Sequence, residues 1–169
     1  MGEQVASVAF SAVAVVISLV SLYAGRRKDR REAFLRLHES LISSDLQSGR
    51  RVLFDLHARA GRVEDLNEED YARANRALSS FDVAGLYCHK RYVREKDVLE
   101  LWAPSLVKMK YAGELFLRHR DSFWSGIPTW PHYRRLADHA EAYLRSRGVD
   151  IDRFAAPVPG LPQSRASSS

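Results

Sequence analysis

One cysteine, Cys88, is all that 169 residues contain. An intramolecular disulfide is therefore excluded, and a lone thiol suits a reducing cytosol. Catalytic signatures are missing as well. The chain has no Gly-rich phosphate loop, no Walker-type motif, no GxSxG and no HExxH, so the local arrangements that cradle phosphate, expose a nucleophile or hold zinc are absent from the sequence. Strict apolar alternation is lacking too, which leaves no signal for a half-buried strand. Charge itself is absent from one long stretch, since no residue between Glu3 and Arg26 carries a formal charge at neutral pH.

That uncharged stretch reads VASVAFSAVAVVISLVSLYA over residues 5–24. Roughly 20 residues at 1.5 Å rise give about 30 Å of helix, the thickness of a bilayer's hydrocarbon core. Val, Ile, Leu and Phe supply about half of it and favour insertion by about 3 to 6 kcal/mol before the serines subtract. A single transmembrane helix is the expectation. A signal peptide would carry its positive charge ahead of a shorter apolar core. Here only Glu3 precedes the run, and Arg26, Arg27, Lys28, Arg30 and Arg31 follow it. The positive-inside rule then puts residues 1–4 outside and the C-terminal part in the cytoplasm of a single-pass inner-membrane protein.

Ser7, Ser11, Ala14, Ser18 and Ser21 follow steps of four and three, continued by Gly25. Such a seam of small residues lets two helix backbones approach closely in lipid, which makes self-association through this face one reading. The other is that the serines bond their own backbone at i−4 and the spacing reflects an Ala/Ser-rich composition.

The net charge of +5 suggests a nucleic-acid binder only until it is located. Residues 26–31 hold five basic residues and Asp29, a local +4, which leaves about +1 for the rest. A nucleic-acid domain would carry its surplus on the folded part. Placed at the membrane edge, the basic segment 25–31 fits an anionic inner leaflet, each cation gaining about 1 kcal/mol there.

Residues 32–148 are expected to form one all-α domain, an antiparallel bundle of about five helices. Phe34, Leu37 and Leu41 mark a first helix continuing from the span. Ser43, Ser44 and Asp45 supply caps for a second, with Gly61 as its stop. Val63 to Leu66 reads as linker. Asn67 followed by Glu68, Glu69 and Asp70 opens a third helix, reaching about His89. A fourth starts near Lys96 with a kink or break expected at Pro104. Residues 122–129 read as a loop, and Pro131 suits the first turn of a last helix. Residues 149–169 are expected to be a Pro/Ser-rich disordered tail.

Phe81-Asp82-Val83-Ala84-Gly85-Leu86-Tyr87, Tyr92-Val93 and Val98-Leu99-Glu100-Leu101-Trp102 together resemble an uncharacterised bacterial family, domain of unknown function family 4760. The resemblance covers about residues 31–145 and implies one N-terminal span followed by an all-helical cytosolic domain. It implies no activity, because the shared motifs are packing patterns.

Candidate chemistry is thin. His132 and His139 are seven apart, hence on one helix face, with Asp138 and Glu141 nearby; the i, i+4 spacing of a metal helix is absent, so no metal or cofactor is expected. His38, His57, His89 and His119 read as surface residues near helix ends. Asp82 lies on an apolar helix side and calls for a partner, an arginine or tyrosine of a neighbouring helix, since an uncompensated buried carboxylate costs about 3–5 kcal/mol. Trp102, Trp124 and Trp130 could line a groove, and Trp124 and Trp130, in or near a loop, are the candidates for a binding surface. The leading expectation is a non-catalytic, membrane-tethered interaction or scaffold module with a protein partner. The alternative is a small-ligand sensor or enzyme with a site between helices.

Overall fold

The computed structural model describes residues 27–124 and 127–155, together with Ser18, Ser21, Tyr23 and Gly25. Those residues are all-α: seven α-helices and a short 3-10 turn, with no strand among the described residues. Helix α1 covers residues 27–42, and the backbone is already helical at Ser18, Ser21, Tyr23 and Gly25. Then follow α2 (Ser44–Ala58), the 3-10 turn (Val63–Asp65), α3 (Glu68–His89), α4 (Glu95–Ala112), α5 (Glu114–Ser122), α6 (Pro131–Ser146) and α7 (Asp152–Ala155). Among the described residues no helix is long and apolar enough to cross a membrane. The span expected over residues 5–24 falls largely outside them.

The starts of two helices follow directly from the sequence. Ser43 Oγ accepts from the Leu46 amide at 3.4 Å at the start of α2, and Asn67 Oδ1 accepts from the Asp70 amide at 2.8 Å at the start of α3. Each bond satisfies one of the amide groups a helix leaves open at its N-terminus. The end of α2 is less regular. Ala60, not Gly61, takes the left-handed conformation, at φ 47°.

Helix α3 is central, packed on α2 along one side and on α6 along another, while α4 packs on α6 and α2. Two glycines allow the close approaches. A Cβ on Gly49 would lie 2.2 Å from the Arg73 carbonyl oxygen, and one on Gly85 would lie 2.3 Å from that of His132. Leu53, Leu78, Phe81, Leu106, Met109, Phe116 and Tyr133 are fully buried between the helices. Each large aliphatic side chain so placed contributes about 1.5–3 kcal/mol. Arg50 lies among aromatics, its Cζ 5.5 Å from the Trp102 ring and 6.0 Å from Phe81. Burial lowers its pKa, and the ring faces supply the attraction that holds the guanidinium there.

Three expectations are corrected. Helix α4 runs unbroken through Pro104, and the break comes at Gly113. Pro104 is exposed, whereas Trp102, Ala103, Leu106 and Val107 around it are buried and hold the helix together across the missing amide. The stretch 63–66 is more than linker: Val63 is buried and Leu66 packs on the core. The packed chain does not stop at Gly148 either. Ile151 is only 4% exposed, Phe154 packs on the core, and α7 lies against α4. Two apolar residues three apart are too short a pattern to register as periodicity.

Candidate functional site

The loop between α5 and α6 is fixed at its base by one carboxylate. Asp121 Oδ1 accepts from the Thr129 amide at 2.8 Å and from the Thr129 hydroxyl at 2.7 Å. Its Oδ2 accepts from Arg134 Nη2 at 2.6 Å, and Arg134 Nε donates to the Thr129 carbonyl at 2.9 Å. Burial opposes ionisation of Asp121, but the Thr129 donors and the Arg134 charge outweigh it and hold the carboxyl below its ordinary value. The strap thus closes the loop at neutral pH with charge-assisted bonds.

The two loop tryptophans part company on this base. Trp130, at φ 52°, turns its ring inward, 6.3 Å from Phe116 and beneath the Arg120 guanidinium at 5.2 Å. Trp124 turns outward. Phe123, Trp124 and Ile127 are 67%, 54% and 68% exposed. Three large apolar side chains on one short loop are an unusual surface, because a soluble face ordinarily shows such residues singly.

Asp82 has a different task from the one its type suggested. Its Oδ1 accepts from the backbone amides of His132 and Tyr133, each at 2.9 Å. Its partners are thus backbone amides at the first turn of α6, not an arginine or tyrosine side chain. Residue 130, where an N-cap would sit, offers no side-chain bond. A carboxylate there satisfies two open amides and also suits the positive end of the helix dipole.

Beside this junction lies a cleft of about 210 Å³ between the end of α3, the α3–α4 turn and α6, lined among others by Cys88, His89, Arg91, Glu95, His132, Arg135 and His139. His132 and His139, read from their spacing as one face, both line it. His139 Nδ1 lies 2.8 Å from Glu95 Oε1, and Arg135 Nη1 lies 2.9 Å from His89 Nδ1. The His89 and His132 rings are 5.5 Å apart. Desolvation first, then Arg135, His132 and Lys90, lowers the His89 pKa. Burial pushes the Cys88 thiol up to about 12, with Glu95 adding to it, so it carries no thiolate for nucleophilic work at neutral pH. Among the described residues no group of three His, Cys, Asp or Glu is placed to hold a metal ion. Farther along α6, Lys110 bridges Asp138 and Glu141, at 2.7 Å to each.

Three histidines are not simple surface residues. His38 is half-buried, 5.7 Å from the Trp102 ring, with Nδ1 buried. His57 Nε2 reaches the Ala155 carbonyl at 3.2 Å, and His119 Nδ1 reaches Glu64 at 3.1 Å. Arg27, Lys28, Arg30 and Arg31 are exposed on α1, and Arg26 lies outside the described residues. Of the small-residue seam, Ser7, Ser11 and Ala14 also lie outside them, while Ser18 and Ser21 are helical and exposed.

The spacing of His132 and His139 was the one sequence signal that touched the cleft. Its residues come from three segments spread over positions 85 to 139, and only their fold brings them together. No protein-family model, curated protein or solved structure matches the chain.

Proposed function

We propose that the chain is a non-catalytic, membrane-tethered helical interaction module. In this reading residues 5–24 form a single span, the N-terminus lies outside, and the bundle lies in the cytoplasm, in keeping with its resemblance to the uncharacterised family 4760. Arg26, Arg27, Lys28, Arg30 and Arg31 meet the anionic inner leaflet, and the seam from Ser7 to Ser21 brings two copies together. The observation that carries the interaction role is the loop tip. Asp121 strap bonds hold the loop ends, so Phe123, Trp124 and Ile127 are presented from a fixed base, exposed and apolar. Burying such a tip against a partner protein returns about 25 cal/mol for each Å² of apolar surface covered, with little ordering cost at its base.

The test is a photoreactive amino acid placed at position 124 of the full chain in native membranes, compared with one at exposed Arg59. A discrete protein adduct from position 124, absent from position 59 and lost in Phe123→Ser with an unchanged melting curve, supports the module. Equal labelling from both positions overturns it. Orientation is read separately with Arg59→Cys and a membrane-impermeant thiol reagent, against the low background of buried Cys88. Labelling of intact cells would reverse the assigned topology.

A further inference from the structure

The cleft beside α6 has an imbalance of charge. Two guanidiniums, Arg91 and Arg135, line it against one carboxylate, Glu95. That carboxylate is engaged by His139 at 2.8 Å. Among the described residues neither arginine has a carboxylate partner, and the single polar side-chain contact of Arg135 is the His89 ring at 2.9 Å. A guanidinium only donates, so His89 Nδ1 is the acceptor in that contact and the ring proton sits on Nε2, adding a donor. His132 stands alongside with its Nδ1 buried and unpartnered among the described residues. Arg91 is held at φ 60°, a left-handed backbone conformation that is unfavourable for a non-glycine residue. Its amide donates to the Cys88 carbonyl at 3.0 Å, which fixes the turn at the cleft wall.

We propose that this cleft binds a phosphoryl group, as inorganic phosphate or a small phosphate monoester, clamped between Arg91 and Arg135. Two guanidinium forks and an imidazole N–H offer more donors than the two oxygens of a carboxylate can use. A tetrahedral dianion takes them all and offsets both charges. Glu95 is the one opposing charge, and His139 occupies it. Size sets the upper bound. About 210 Å³ is below the range of roughly 300–1,000 Å³ usual for drug-sized ligands, so the space suits phosphate with a few attached atoms and not a nucleotide. The site rests on neither the membrane span nor the loop tip.

Titration calorimetry of the full chain in a neutral detergent, with inorganic phosphate at fixed ionic strength in chloride, tests this. Saturable binding with a Kd below about 1 mM is expected, weakened about tenfold or more by Arg91→Gln and by Arg135→Gln, and unchanged by Arg59→Gln. Circular dichroism melts of each variant establish that the fold is intact. Mixed micelles containing phosphatidic acid separate the two sources of the same group. A drop in apparent phosphate affinity there, absent with phosphatidylcholine, assigns the site to a lipid headgroup, and an unchanged affinity assigns it to a soluble phosphate. No saturable binding by the wild-type chain, or equal affinity in wild type and the Arg91→Gln/Arg135→Gln double variant, overturns the proposal.

Discussion

Asp82, in the middle of α3, caps α6: its Oδ1 accepts from the Tyr133 amide at 2.9 Å across 51 positions of sequence. Removing the carboxylate leaves that amide and the His132 amide without their acceptor. Asp82→Ala is expected to cost about 1–2 kcal/mol, and Asp82→Asn less, since its amide oxygen still accepts. Urea unfolding of the full chain in detergent measures both. An alanine variant as stable as wild type would show the cap to be idle.

The helix contacts at Gly85 and Gly49 should not tolerate a methyl group. Alanine favours a helix by about 0.8–1.0 kcal/mol over glycine, but here its Cβ would lie 2.3 Å and 2.2 Å from backbone carbonyl oxygens of the facing segments. Backbone cannot rotate away, so Gly85→Ala and Gly49→Ala are each expected to destabilise by about 1–3 kcal/mol. Gly25 has nothing within 4 Å of its Cβ position, and Gly25→Ala should be neutral or slightly stabilising. Thermal melts that rank the three alike would contradict the close packing.

Cys88 makes stability depend on alkaline pH. Its thiol is raised from an ordinary 9.0 to about 12 by burial. Below the unfolded value both states keep the proton, and the full contribution is present. As pH rises from about 9 towards 12 the unfolded chain ionises first, and stability falls by at most about 1.4 kcal/mol per pH unit for this one group. Tyrosines and lysines titrate in the same window, so the comparison is between wild type and Cys88→Ala. The variant should show the shallower loss in urea midpoint between about pH 8 and 10.5, and parallel curves would refute the assignment.

The C-terminal boundary can be measured directly. A chain ended after Ala155 retains Ile151, Phe154 and the His57 contact to the Ala155 carbonyl. One ended after Gly148 loses them and should be less stable by about 2–4 kcal/mol, the worth of one buried isoleucine and part of a phenylalanine. Equal melting temperatures would mean that α7 only rests on the surface.

Much of the helical plan was legible from local rules. Ser43, Asn67 and Pro131 announce helix starts through chemistry confined to one turn, and the structure starts helices beside each of them. What local rules could not give were features decided across the fold. Pro104 breaks an isolated helix pattern, but buried neighbours on α4 hold it in line. Asp82 signals a need for a partner, while the identity of that partner depends on where α6 begins in space. The spacing of His132 and His139 placed them on one face; that Arg91, Glu95 and His89 stand opposite follows only from the packing of α3 and α4 against α6.

The three tryptophans occupy three grades of environment: Trp102 is 7% exposed, Trp130 half-buried beneath Arg120, and Trp124 54% exposed. Their fluorescence should therefore separate by accessibility to a soluble quencher. Iodide reaches Trp124 first, Trp130 poorly and Trp102 hardly at all in the native state. The loop tip thus carries its own optical probe. Covering it would remove the readily quenched fraction of the emission, while occupation of the cleft beside α6 would leave that fraction in place.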